Sequence, residues 1–143
     1  GMKRLTASEI ISLLALDPHI EGAFYRQTFA DTPDASGRPV STLIYYLLTN
    51  GQAGAWHKVD SAEVWHFYGG APMLMRTSRD GKTVTEHVLG VDLAVGERPQ
   101  LVIPPSAWQR ARALGEWSLV GCTVAPGFQF SKFVQAEAGW EPG

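Results

Sequence analysis

The sequence predicts an all-β sandwich or barrel with one N-terminal helix. Short runs rich in β-branched and aromatic residues recur along the chain and are separated by turn residues such as Asn50-Gly51. About eight strands are expected from this spacing, and helical periodicity is clear only near the N-terminus. Hydrophobic residues make up 45% of the 143 positions and charged residues 18%, which is typical of a folded globular domain.

The first element is a helix that begins after Thr6. Thr6 and Glu9 have the spacing of a capping box, and Asp17-Pro18 is expected to end the helix. The segment 128–138 fits either a last strand or a helical turn. Strands are expected in 23–30, 40–49, 63–68, a hairpin across 73–89 with its turn at Asp80-Gly81, 100–104, and one run on each side of Gly115.

Composition and charge exclude several classes of partner. The net charge of −2 and the lack of any Lys/Arg run give no footprint for nucleic acid or for an anionic membrane. The apolar stretches are too short to span a bilayer and no leader is evident, so a cytoplasmic protein is expected. The single cysteine, Cys122, cannot form an internal disulfide and is expected to be a small buried hydrophobic residue.

A spaced set of polar residues follows the third predicted element. His57 comes after Gly51 with five residues between them, Glu63 follows, and Gly70 closes the stretch after six more residues. This spacing resembles the first conserved motif of the cupin superfamily, in which Val59 holds the place of the second histidine. The second cupin motif is matched more loosely, since Gln109 stands where a histidine belongs. Segments along nearly the whole chain resemble one branch, the uncharacterised single-domain cupins.

The resemblance implies a double-stranded β-helix, the jelly-roll or cupin barrel, formed by residues 2–143 as one domain. Such proteins are commonly homodimers, with a small-molecule ligand in a pocket inside the barrel. In metal-dependent cupins three imidazoles and a carboxylate hold a divalent transition metal, and the places here belong to His57, Val59, Glu63 and Gln109. Valine cannot ligate and an amide oxygen is a poor donor, so no cofactor is expected beyond a weakly bound divalent metal.

A second implication of the resemblance is metal-free catalysis. Some cupin sugar epimerases use a histidine base oriented by a carboxylate, with a tyrosine as the acid. His57 then serves as the base and Glu63 or Asp60 as its partner. The acid is one of three tyrosines, with Tyr46 preferred over Tyr25 and Tyr45. A histidine–carboxylate pair can equally satisfy a buried polar group for structural reasons.

Further candidates for ligand contacts come from strands and motif ends. A pocket-facing Arg26 or Arg38 would favour an anionic ligand, although a solvated surface position is the commoner case for Arg38. Gln100 and Gln109 are candidate pocket donors. Trp108 and Trp56 are candidates for stacking on a flat ligand, with core filling as the commoner use.

Side-chain alternation along 63–68 separates the histidines of the motif. It places Glu63, Trp65 and Phe67 inside the barrel and His66 outside it. His19 and His87 are expected to be surface or edge residues.

Three functions are consistent with these residues. The leading hypothesis is the binding of a small polar metabolite, with metal-independent isomerase or epimerase chemistry on a sugar-like or nucleotide-derived ligand. The first alternative is a metal-dependent dioxygenase or hydrolase with a reduced ligand set. The second is a non-catalytic ligand sensor or interaction module, so the sequence leaves open whether the protein is an enzyme.

Overall fold

The computed structural model describes residues 4–19, 22–51 and 53–143. In that part of the chain the elements are α1 (Ala7–Leu14), β1 (Asp17–Pro18), β2 (Phe24–Ala30), β3 (Thr42–Thr49), β4 (His57–Lys58), β5 (Ala62–Gly70), β6 (Met73–Ser78), β7 (Thr85–Leu89), β8 (Gln100–Ile103), β9 (Trp108–Ala113), β10 (Trp117–Ala125) and β11 (Val134–Gln135). The α-helix precedes two antiparallel sheets, whose strand orders are β1-β2-β3-β10-β5-β8 and β11-β4-β9-β6-β7.

The two sheets pack face to face around the main core. Trp65 and Val120 of the six-stranded sheet belong to the same buried cluster as Met73 and Met75 of the five-stranded sheet. A second cluster joins Ile10 of α1 to the opposite face of the six-stranded sheet. The helix therefore covers the outside of one sheet, while the space between the sheets is the inside of the barrel expected from the sequence.

The boundaries of two elements differ from the expectation. The capping box of Thr6 and Glu9 is present, but α1 ends at Ala15, which adopts a left-handed conformation with φ of 53°. Asp17-Pro18 forms β1 instead of the helix stop. β5 continues through Gly70, because Gly69 and Gly70 pair with Leu119 and Ser118 of β10. Gly70 takes a φ of +86°, and an added Cβ there would lie 2.3 Å from the Trp117 ring.

The segment 128–138 contains both of the structures that its sequence allowed. A single 3₁₀ turn, Phe130–Lys132, is followed directly by β11. β11 pairs with β4, so the end of the chain lies against the strand that carries His57. No helix in the described ranges is long and apolar enough to cross a membrane.

The capping box gives a first prediction. Replacing Thr6 with alanine removes the acceptor for the Glu9 amide, and the free energy of unfolding should fall by about 1 kcal/mol. Chemical denaturation measures the change, with Ser8→Ala as the control because Ser8 is exposed in the same helix. Equal stability of the two variants would contradict a stabilising role for this cap.

Candidate functional site

A cavity of about 240 Å³ lies on the inner face of the six-stranded sheet. Strands β2, β3, β5 and β10 form its floor, and β4 and the segment after β10 close it. Most of its surface is aromatic or aliphatic. The lining residues are His19, Tyr25, Gln27, Thr42, Ile44, Tyr46, His57, Val59, Glu63, Trp65, Cys122, Val124, Phe128, Phe130 and Phe133.

Strand alternation explains which side chains reach the cavity. Thr42, Ile44 and Tyr46 are two residues apart on β3, so they share one face of the sheet. Cys122 on β10 lies opposite both Ile44 on β3 and Trp65 on β5. The cavity floor is therefore a continuous patch across three hydrogen-bonded strands, and Cys122 is buried at its centre as expected.

His57 enters the cavity from a strand of only two residues. β4 pairs with β9 through Gln109 and with β11 through Gln135. The imidazole is buried, stacks on Phe133 with ring centroids 5.3 Å apart, and places Nδ1 3.2 Å from the carbonyl oxygen of Ala55. A carbonyl only accepts hydrogen bonds, so Nδ1 carries a hydrogen and the neutral ring has its lone pair on Nε2.

Glu63 is held by a chain of hydrogen bonds that crosses between the sheets. The indole Nε1 of Trp65 donates to Oε1 of Gln109 at 3.1 Å, and Nε2 of Gln109 donates to Oε1 of Glu63 at 2.8 Å. An indole nitrogen can only donate, so the amide oxygen of Gln109 must face Trp65 and its amide nitrogen must face Glu63. Gln109 is fully buried in this position.

These contacts determine whether the residues at the four ligand places can coordinate a metal as in metal-dependent cupins. Gln109 uses its amide oxygen to accept from Trp65 and does not line the cavity, while Val59 presents only an apolar side chain there. Of the four ligand places, only His57 and Glu63 offer usual metal donors toward the cavity. Within the described ranges, no three or more His, Cys, Asp or Glu side chains form a group that could hold a metal ion. The residues do not fit the usual metal set.

The positions of the tyrosines and of His19 relative to the cavity differ from one another and, for His19, from the expectation. Tyr25 and Tyr46 both line the cavity, whereas Tyr45 packs in the cluster under α1. His19, expected at the surface, also lines the cavity and makes perpendicular ring contacts with Tyr25 at 5.0 Å and Tyr46 at 5.6 Å. Its position in a loop gave no periodic signal in the sequence.

None of the four predicted ligand contacts, Arg26, Gln100, Trp108 and Gln109, lines the cavity. Arg26 is exposed and donates to the Leu14 carbonyl, which fixes it to the end of α1. Gln100 is exposed on β8, the edge strand. Trp108 packs against Trp140 with ring centroids 4.8 Å apart and carries Lys58 over its face. These three side chains point away from the cavity, and strand alternation alone does not tell which face of a strand points inward. Ligand binding by these residues at another place stays a prediction.

Other candidates also lie outside the cavity lining. Trp56 is a core residue, as the commoner alternative had it, and its indole nitrogen donates to Glu141 at 3.1 Å. His66 lies on the face of β5 opposite Glu63, where its Nε2 is within hydrogen-bond distance of the Thr123 hydroxyl, at 3.1 Å. His87 lies on the edge strand β7, 3.5 Å from the Thr77 hydroxyl.

Arg38 and Asp60 form a structural clamp beside the cavity. The Arg38 guanidinium donates twice to the Asp60 carboxylate, at 2.8 and 2.7 Å, and once to the Gly127 carbonyl at 2.7 Å. It joins the loop before β3 to the segment that supplies Phe128. The hydrogen bonds from Arg38 hold the pKa of Asp60 below its ordinary value. Arg38 is thus partly buried and does not line the cavity, and the Asp60 carboxylate accepts hydrogen bonds from it.

The comparisons with known proteins place the chain in a family. The family model described as Cupin superfamily (DUF985) matches residues 8–136, which is most of the chain. The chain belongs to the cupin superfamily. No curated protein matches the sequence.

Solved structures of this cupin's relatives cover nearly its whole length. A protein from Shewanella oneidensis is 33% identical with a TM-score of 0.89, over 94% of this chain and 86% of that one. A hypothetical protein from Leishmania major is 26% identical with a TM-score of 0.82, over 91% and 86%. Oxalate oxidase in complex with the substrate analogue glycolate is 11% identical with a TM-score of 0.60, over 82% and 57%, and shares the fold alone.

The chain of hydrogen bonds through Gln109 predicts a large effect of a buried substitution. Gln109→Met leaves the Trp65 indole without its acceptor and removes a donor from Glu63, so the free energy of unfolding should fall by about 1–3 kcal/mol. Denaturant titration measures the loss. The control is Gln100→Met, an exposed site where almost no change is expected. A similar small effect at both positions would show that the buried amide contributes little.

The contact between Arg38 and Asp60 predicts that the free energy of unfolding depends on pH in the acidic range. Because the pKa of Asp60 is lowered in the fold, the clamp contributes fully above the ordinary aspartate pKa of 3.8 and is lost as pH falls through the lowered value. The free energy of unfolding of wild type should exceed that of Asp60→Asn at neutral pH, and the difference should shrink as pH falls from neutral to below 3.8. Denaturation across this range measures it. A constant difference at all pH values would contradict the prediction.

Proposed function

We propose that this cupin binds a small polar metabolite in the barrel cavity and transfers protons on it without a metal, as an isomerase or epimerase does. The observation that carries the proposal is the pairing of an imidazole and a carboxylate in one largely apolar cavity with two tyrosines. His57, Glu63, Tyr25 and Tyr46 all line it. Residues of these types suit general acid–base catalysis, whereas Val59 and Gln109 stand at two of the four places where metal-dependent cupins have ligands.

The cavity volume supports a sugar-like ligand over a nucleotide-derived one. Ligand pockets for drug-sized molecules occupy roughly 300–1,000 Å³. The volume of about 240 Å³ is below that range and suits a molecule of monosaccharide size. The walls are mainly aromatic and aliphatic, so the few polar groups among them would orient the ligand.

The proposed reaction uses the two faces of the cavity. His57 stands on the five-stranded sheet, and Tyr25 and Tyr46 stand on the six-stranded one. Nε2 of His57 removes a proton from the carbon beside a carbonyl group, and a tyrosine hydroxyl returns a proton to the same carbon from the other side. Gln109 acts as a positioning residue, because it holds the Glu63 carboxylate through its amide nitrogen.

Solvent deuterium exchange tests the chemistry. Small aldoses, ketoses and hydroxy-aldehydes are incubated with the protein in D₂O, and incorporation beside the carbonyl is followed by proton NMR. Exchange with wild type should fall about 10²- to 10⁴-fold in His57→Gln, with a loss in Tyr46→Phe as well. The matched control is His66→Gln, a histidine of the same motif on the opposite face of β5, which should keep full exchange.

The same preparations separate the alternatives. Exchange that disappears after chelation and returns with one divalent metal would favour the metal-dependent enzyme and overturn the metal-free proposal. Ligand binding without exchange across the panel would leave the non-catalytic sensor. The homodimer expected from the resemblance stays a prediction, and analytical ultracentrifugation measures it directly.

A further inference from the structure

Three arginines lie side by side on the outer face of the five-stranded sheet. Met75 of β6 and Ala111 of β9 are buried between the sheets, so the residues that alternate with them point outward. Arg76 is paired directly with Arg110 across these strands, and Arg112 follows Arg110 by two positions. The three side chains, here called the arginine face, line one cavity of about 160 Å³. None of them lines the barrel cavity.

Positive charge is in excess on the arginine face. A guanidinium stays positively charged at neutral pH, and like charges directly opposite each other in a sheet are unfavourable. Glu141 lies 3.1 Å from Nη1 of Arg110 and 3.9 Å from Nη1 of Arg76, and Glu86 lies 3.6 Å from Nε of Arg76. Within the described ranges no carboxylate forms an ion pair with Arg112. The face therefore has room for further negative charge.

The hydrogen bonds of the arginine face are also incomplete. Nε of Arg76 is shielded from solvent and has no hydrogen-bond acceptor among the described residues, since the Glu86 oxygen at 3.6 Å is too far away. A buried donor without an acceptor is costly. By contrast, Nε of Arg110 donates to the Gly54 carbonyl at 2.8 Å, which orients that guanidinium before any ligand arrives.

Glu141 shows which kind of group this face accepts. Its carboxylate receives hydrogen bonds from Arg110 and from the indole nitrogen of Trp56, both at 3.1 Å. The Glu141 side chain is 55% exposed, so water screens its ion pairs and makes them weak. A ligand with more negative charge can therefore compete with Glu141 for the same arginines.

We propose that the arginine face binds the phosphate group of a small molecule. A phosphate carries nearly two negative charges at neutral pH and has three strong acceptor oxygens, so guanidinium groups can donate to it from several directions. A carboxylate offers two oxygens in one plane and carries one charge. The cavity of about 160 Å³ suits one such group, with the rest of the ligand in solvent. This site goes beyond the proposed proton transfer and does not depend on it.

Isothermal titration calorimetry on the full chain tests the ligand class. Inorganic phosphate, glycerol 3-phosphate and acetate are titrated at neutral pH and constant ionic strength. Each phosphate compound should bind about tenfold or more tightly than acetate. Tighter binding of glycerol 3-phosphate supports an esterified phosphate as the ligand, and tighter binding of inorganic phosphate supports the free ion. Equal binding of phosphate and acetate, or no binding of either phosphate compound, would overturn the proposal.

Two variants link the binding to the arginine face. Arg112→Gln removes a guanidinium from an exposed position and should weaken phosphate binding about tenfold. Glu141→Gln removes the competing charge but keeps an oxygen for Trp56 to donate to, so phosphate should bind about threefold or more tightly. The matched control is Arg26→Gln, an exposed arginine on the other sheet, which should bind phosphate as wild type does.

The outcomes separate this site from the barrel cavity. An unchanged affinity in Arg112→Gln, or an equal loss in Arg26→Gln, would place phosphate elsewhere and overturn the site. Weaker binding by Glu141→Gln would overturn the competition for the same arginines. Deuterium exchange should be the same in Arg112→Gln as in wild type, so the failure of either proposal leaves the other standing.

Discussion

The bond from Gln109 to Glu63 is the contact on which the site depends most. It joins β9 of one sheet to β5 of the other through the inside of the barrel, and Trp65 fixes the orientation of the amide. Since Glu63 and Trp65 are two residues apart on one strand, a single side chain from the opposite sheet reaches both. A buried carboxylate needs such a partner, because an unsatisfied one costs several kcal/mol.

The segment after β10 gives the barrel its closed side. Phe128, Phe130 and Phe133 supply one wall of the cavity. Backbone hydrogen bonds hold this segment at both ends: the Phe128 amide donates to the Thr42 hydroxyl and the Ala136 amide to the Trp56 carbonyl. The aromatic character of the wall thus comes from irregular structure and a 3₁₀ turn, while the polar groups come mainly from strands.

The sequence predicted the strands, the barrel and the sharing of one cavity by His57 and Glu63. Period-two patterns and turn residues are local signals, and the cupin spacing adds the relative placement of the two polar residues. The sequence did not show which face of β2 or β8 points inward, so Arg26 and Gln100 were expected at the cavity but lie outside its lining. His19 and Arg38 depend on loop positions, and the role of Gln109 depends on Trp65 reaching it across the barrel. Those contacts are determined by tertiary structure, about which the periodicity of the sequence gives no information.

Cys122 gives this cavity a built-in chemical handle. It is the single cysteine of the chain and lies in the middle of the cavity floor, between Ile44 and Trp65. A small thiol reagent can therefore label only this one side chain, and it must enter the cavity to do so. The rate of that labelling reports how accessible the cavity floor is, and a molecule bound against the floor would slow it, so occupancy can be followed without knowing what the occupant is.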